Sequence, residues 1–463
     1  MKRSRATAKK LKEVAAEIYH FPTQRNKYKE VQYPLHVFKN RIPTSLTILN
    51  VKYSSDKRLN MKNFLIGLGV AVSLVSTTFA QTQPRRPLTP AVPFMTISPD
   101  ARSSAMGDAG VGSAAYDANA LYWNGAKLAF SDKKVGASLS VSPWLTNLTG
   151  GDMAFIGLTG YQKLDKNLVI GLMVGYFNSG SIQFTSNIGQ PLNTFDSRES
   201  YLTGSISRKL TEHFSTGVNI KFVSSNLTGN SAINNVSYSP GRAVAGDLNF
   251  FYTNDYRKKN SSKGVEFNWG ATITNLGSKI SYGTGRANFL PTSLKLGTGL
   301  ALHLDERNRF NFIVDASKFL IPSEPVRDAQ NKIVKGVDPD SRTALSAVVA
   351  SFGDSPDGAA GEMREINLGG GAEYWYNDIF ALRGGYYFQP TSLGSLRYYT
   401  VGLGARIKES LGVDFSYLIP SGGSNSPLAN TLRISLIYDV AAKKKGKKVA
   451  PVEETTEEQP QKN

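Results

Sequence analysis

Between Lys133 and Val440 the chain runs in short segments where every second residue is apolar and those between are small, polar or charged. Successive side chains of a strand point to opposite faces, so this period of two predicts strands with one oily and one polar face. Tyr399, Val401, Leu403, Ala405 and Ile407 alternate with Thr400, Gly402, Gly404, Arg406 and Lys408. Leu411, Val413, Phe415 and Tyr417 alternate with Gly412, Asp414 and Ser416, and Leu432, Ile434, Leu436 and Tyr438 with Thr431, Arg433, Ser435 and Asp439. Charges on the second set require water or ion partners on that face, while the first set requires lipid or a core. The pattern predicts strands at 133–143, 153–163, 167–178, 196–209, 213–224, 240–252, 264–275, 292–303, 307–318, 364–376, 378–389, 396–408, 411–419 and 429–440.

Alternation alone does not separate a soluble sandwich from a membrane barrel, but the connections do. Those after strands two, four, eight, ten and twelve are tight, built on Asp165-Lys166, Thr211-Glu212, Asp305-Glu306, Asn377-Asp378 and Glu409-Ser410; the one after strand six, Asn254 to Lys263, is somewhat longer, and those after odd strands are longer. An even strand number with turns short at one end and long at the other is the pattern of an outer-membrane barrel. The expected fold is therefore all-β, a 14-stranded antiparallel transmembrane β-barrel spanning 133–440. Strand parity then places both ends of the mature chain on the periplasmic side and the longest connection, between Phe319 and Met363, outside. Within that connection Leu345, Val348, Val349 and Phe352 recur at helical spacing after Arg342, so a short helix and a partner-contact surface are expected there.

Upstream of the barrel, Met61-Lys62-Asn63 opens a short apolar stretch from Phe64 to Val75, followed by Thr78, Phe79 and Ala80. That order of parts predicts a signal peptide over 61–80, since the apolar run is too short to cross a bilayer as a helix. Residues 1–60 read as an over-called start or a disordered extension, 81–132 as a lead-in, and 441–463 as a charged periplasmic tail. The net charge of +18 suggests nucleic acid until it is located. Fourteen Lys/Arg against four Asp/Glu fall in residues 1–60, and a lysine cluster lies at 443–448, so the barrel body is close to balanced and no nucleic-acid partner is expected.

The chain offers little to catalysis. It has no cysteine, and the two histidines after residue 80, His213 and His303, belong to no recognisable nucleophile or zinc motif. No enzyme activity, metal or cofactor is expected. Gly283, Gly285, Gly297 and Gly299 precede or occupy a strand rather than opening a helix, so they read as small inward residues, not a nucleotide loop. Tyr374, Trp375, Tyr376, Tyr386, Tyr387, Tyr398 and Tyr399 lie near strand ends, where an aromatic girdle at the lipid boundary is expected.

Arg102-x-x-x-Met106-Gly107-x-Ala109, followed by Asp117-x-x-Ala120-x-x-x-Asn124-Gly125-Ala126, resembles the N-terminal pattern of the FadL-like barrels. The resemblance implies fourteen strands and an N-terminal hatch in the lumen over 81–132, its motif carried by Arg102, Met106, Gly107, Asp117, Asn124 and Ala126. Gly125 stands where that family has proline, which implies a looser hatch turn. Arg102 and Asp117 would then meet polar lumen residues such as Arg406, Asp414 and Arg433. Thr96 to Arg102, Ser142 to Leu145, Gly371 to Asn377 and Ser351 to Pro356 are similar, more narrowly, to an outer-membrane component of the Bacteroidetes type IX (Por) secretion system. That resemblance implies a protein of the cell outer membrane that accepts secreted cargo, through its C-terminal signal domain, from a large translocon barrel. It would pass the cargo to a surface sortase or attachment complex, with outer-membrane lipid around it. The alternative is a FadL-like channel for hydrophobic small molecules, which the polar inward set disfavours.

Overall fold

The computed structural model describes residues 86–441, apart from 146–152, 186–187, 230–231, 234–235, 259–260, 408–409 and 422–430. All that follows concerns the unit 81–463. The expected start, signal peptide and charged tail lie outside the described residues.

Fourteen strands form one closed antiparallel barrel. They are β1 (Lys133–Pro143), β2 (Ala154–Lys163), β3 (Leu168–Thr185), β4 (Pro191–Lys209), β5 (Phe214–Asn226), β6 (Gly241–Asp255) and β7 (Gly264–Gly277). Then follow β8 (Ser293–His303), β9 (Asn308–Phe319), β10 (Ile366–Tyr376), β11 (Phe380–Phe388), β12 (Arg397–Ile407), β13 (Leu411–Pro420) and β14 (Leu432–Ala441). Each pairs with its neighbour in sequence, and β14 closes on β1 with Leu436 opposite Leu139. Closure removes the exposed edges that an open sheet would leave in lipid.

The expected strands match this set, with one clear difference. β3 and β4 run on past the expected loop at 179–195, with Ser181 opposite Asp196 and Gln183 opposite Thr194. Asn178, Ser179 and Gly180 look like a turn in sequence; the structure absorbs them in a bulge, with Gly180 at φ 76°. Short hairpins inside the long connections were also not expected: Ala232–Ile233 with Val236–Ser237, Ile280–Ser281 with Ala287–Asn288, and Val326–Arg327 with Ile333–Lys335.

The two faces sort as the alternation requires. Leu139, Leu158, Leu172, Leu202, Phe222, Val244, Val314, Leu403 and Leu436 are exposed around the outer wall. An apolar surface of that extent is a hazard in water and the natural covering in a bilayer. Glu373, Arg383, Asp414 and Arg433 are buried on the inner wall. The expected girdle divides by the same rule and needs correction. Tyr386 and Tyr399 form an outward cross-strand pair with ring centroids 4.9 Å apart. Tyr387 and Tyr398, one position along, stack 4.9 Å apart on the inside, and Trp375 is 3% exposed among arginines. Strand ends attract aromatic residues, but the pleat decides which of them reach lipid.

Candidate functional site

The segment before β1 folds into a 3₁₀ turn (Pro93–Thr96), α1 (Ala101–Ser104), α2 (Ala120–Trp123) and a second 3₁₀ stretch (Gly125–Phe130). Asp100 caps α1 by accepting from the Ser103 N–H (2.8 Å) and also accepts from Trp123 Nε1 (2.6 Å), which ties α1 to α2. These elements lie against inward side chains around the ring. Ala101 N–H donates to Ser435 Oγ on β14 (2.9 Å), Gly107 N–H to Thr400 Oγ1 on β12 (3.0 Å), and Ser215 Oγ on β5 to the Ala126 carbonyl (2.7 Å). Asn124 donates to the Phe250 carbonyl on β6 (2.9 Å), and Met106 packs with Ala109 and Ile313. Two glycines permit this approach. Gly107 sits at φ 73°, and a Cβ on it would come within 2.6 Å of the Gly370 carbonyl; a Cβ on Gly371 would come within 2.7 Å of Met106 Cα.

The Gly125 carbonyl accepts from Ser207 Oγ at 3.0 Å, and the residue is buried beside Ser205. The expected partners of Arg102 also need correction. Arg102 binds Glu373 with two parallel hydrogen bonds, Nε to Oε2 at 2.9 Å and Nη2 to Oε1 at 2.8 Å, and lies 3.6 Å from Asp117. Glu373 also accepts from Arg383 (2.6 Å) and Asn311 (2.6 Å); Arg383 continues to Asp414 (2.9 Å), which holds Arg406 at 3.0 Å. Trp375 lies among these arginines, 5.1 Å from Arg406 and 5.4 Å from Arg383. Arg433 pairs instead with Asp108 at 3.0 Å. Asp315 accepts from the N–H groups of Gly110 (2.6 Å) and Val111 (2.7 Å). Charges this deeply buried persist only when paired and fully hydrogen-bonded, so the network fixes where α1 sits. Sequence reading missed Glu373 and Arg383. The signal was the hairpin register, since the tight turn at Asn377-Asp378 sets the two directly opposite on the inner face.

The residues before the 3₁₀ turn run the opposite way from expectation. Arg86 N–H donates to the Ser392 carbonyl (3.1 Å), the Arg86 side chain pairs with Asp357, and Ala91 N–H donates to Phe289 (2.8 Å). Leu88 packs with Ile321 and Leu393. All of these partners belong to the long connections. The chain therefore enters at the loop end and descends before β1 starts at the turn end, where Lys133 pairs with Ala441. Parity counts strands, and this segment crosses without being one, so the first described residues lie at the loop end.

The connection from β9 to β10 holds α3 (Ala344–Ala350) and α4 (Ala359–Met363). It is anchored by Lys318 to Glu362 (2.9 Å) and to Glu365, by Ser323 to Glu365 (2.6 Å), and by Asp357 between Arg86 and Arg364. Thr343 caps α3 by accepting from Ser346 N–H (3.3 Å). Ala347 is buried and Val348 and Arg342 are half-buried, while Leu345 (67%), Val349 (73%) and Phe352 (56%) are exposed. The expected helix is present, with its apolar side outward on an anchored loop.

A family model described as type IX secretion system protein PorV matches residues 80–326, more than half of the chain. The chain belongs to the PorV family. Its place is thus that of an outer-membrane β-barrel of the type IX secretion system. Among solved structures it is similar to the Ralstonia pickettii toluene transporter TbuX at 12% identity, covering 74% of this chain and 97% of that one, with a TM-score of 0.41. It is also similar to a Pseudomonas aeruginosa FadL homologue at 13% identity, covering 77% and 100%, with a TM-score of 0.40. No curated protein matches it.

Proposed function

We propose that this PorV-family chain is a non-enzymatic carrier. It accepts secreted cargo by the cargo's C-terminal signal domain as it leaves the large translocon barrel, and passes it to the surface sortase or attachment complex. Its segment 93–131 acts as the hatch of the barrel. The observation that supports this reading is α3. Three large apolar side chains stand exposed, Leu345 and Val349 on a capped helix and Phe352 just past its end, on a loop tied down by Lys318 and Arg86. A solvent-facing apolar helix on a rigid base is a recognition surface, because nothing in the fold of the barrel requires those residues to be large. Loop-facing traffic also suits a barrel whose inner wall carries ion pairs on the β10–β13 side, while on the β2–β5 side Phe94, Met95 and Ile97 pack with Phe155, Met173 and Tyr201.

The test is a Leu345→Ser, Val349→Ser, Phe352→Ser triple variant, which removes apolar surface without touching any anchor. The expected result is an inserted barrel that recovers at least tenfold less cargo and translocon in pull-downs from outer membranes. Unchanged recovery of both would remove α3 as the docking surface.

A further inference from the structure

Above α1 and α2, on the loop-end side, lies a partly open cavity of about 220 Å³ that the secretion role does not use. One wall is a lateral row in register across three strands, with a cross-strand pair two positions along. Lys295 on β8 stands opposite Ser317 on β9, which stands opposite Asn367 on β10, and Thr274 on β7 faces Ser293 beside them. The facing wall is aromatic, with Trp144, Tyr387 and Tyr398. The ammonium of Lys295 faces the rings of Tyr122 (5.2 Å) and Trp123 (5.4 Å), and among the described residues no carboxylate stands at salt-bridge distance from it.

The carboxylates around the chamber are already engaged. Asp315 is held by the Gly110 and Val111 N–H groups, Asp108 by Arg433, and Asp247 by Lys221 (2.9 Å) and Asn219 (2.7 Å). Two further groups in the wall lack partners: Thr274 Oγ1 and Asn367 Oδ1 are buried without a hydrogen bond, each residue being 4% exposed. With its Oδ1 buried, the Asn367 amide leaves its NH₂ as the end turned to the chamber. Lys295 is half-buried, so its ammonium is open to the chamber, and an anion there would meet a cation that has no counter-ion at salt-bridge distance.

We propose that this chamber is a carboxylate-binding site reached from the loop end. Lys295 is the counter-ion, Thr274 and Asn367 donate hydrogen bonds, and the aromatic wall takes the group that carries the carboxylate. The chemistry fits the terminal carboxylate of an extended chain inserted end-on, or a free small acid. The site does not depend on the carrier role, because its test reads binding by the purified barrel, not secretion.

The full chain, folded in detergent, is titrated calorimetrically with the tetrapeptide acetyl-Ser-Ala-Ser-Val as free acid, with the same peptide as C-terminal amide, and with N-acetylglycine. The expected result is that the acid binds at least tenfold more tightly than the amide. Lys295→Met abolishes that preference, Lys295→Arg keeps it, and Thr274→Val reduces it. N-acetylglycine matching the peptide acid identifies a free small acid as the ligand; weaker binding identifies a chain end. Equal binding of acid and amide by the native protein overturns the proposal, as does absence of binding by both acids. So does an unchanged preference in a Lys295→Met barrel that keeps its heat-modifiable migration. The acid–amide comparison needs no variant, so a misfolded substitution does not shield the idea.

Discussion

The two faces of β12 live under different constraints. Leu403 is 59% exposed on the outer wall. There a side chain of any shape fits, provided that it carries no charge, because lipid adapts to shape and cannot solvate an ion. Gly404 next to it is buried on the inner wall, where a Cβ would fall within 2.6 Å of the Arg383 guanidinium and against the Asp414 carboxylate. Charge is welcome at that height, since Arg383, Asp414 and Arg406 already share it, but volume is not. The outer wall thus selects on polarity and the inner wall on space.

Three substitutions test that contrast. The largest effect is expected from Glu373→Leu, which leaves Arg102 and Arg383 buried without their shared acceptor. Breaking a buried pair by removing one partner costs about 3–5 kcal/mol, measured as a lowered urea midpoint of the barrel in lipid vesicles. A loss below 1 kcal/mol would mean that water replaces the carboxylate and that the inner wall is not space-limited. Leu403→Arg comes next, at roughly 2–4 kcal/mol for a charge near the bilayer midplane, read as failed insertion; normal assembly would place Leu403 off the lipid face. Gly404→Ser is the mildest, with overpacking costing about 1–3 kcal/mol. Its control is Gly384→Ser on the outer face, where a Cβ meets nothing closer than the Thr400 carbonyl at 3.9 Å. Equal melting of these two serine variants would erase the distinction between the walls. Read from alternation alone, Gly404→Ser is harmless, because the pattern shows which way a residue points and not how much room it has.

Face, strand number and turn end were legible because each is a local property. Period two gives the face, and the tight turn at Asn377-Asp378 fixes the hairpin that follows it. The ion partners of Arg102 were not legible in the same way. Glu373 and Arg383 oppose each other by register, but their meeting with α1 depends on how a segment with no periodicity lies across the ring. The Arg102, Met106 and Gly107 motif marked that segment, and the structure brings its members onto three different strands. Nothing local reveals that Arg86 ends beside Asp357, because a single ion pair 271 residues apart leaves no pattern in either neighbourhood. On α3 the helix was legible from the spacing of Leu345, Val348, Val349 and Phe352, although it ends at Ala350; that Leu345 and Val349 are exposed was not, since the same stripe would serve equally well as a buried face.

The position of the segment before β1 carries a topological consequence. It touches β14 through Ala101 and Asp108, and β5 and β6 through Ala126 and Asn124, so it bridges the interior on both sides of the β1–β14 seam. The seam joins the first strand to the last, and once Leu139 lies opposite Leu436 the ring has no lateral opening. A segment in place before the wall closes around it needs no further route, as a mandrel is set before a tube is wound. A barrel that closes empty has no sideways route to admit the segment afterwards; only lengthwise threading from an end remains. Assembly of this protein is thus an ordering problem, settled at the moment the first strand meets the last.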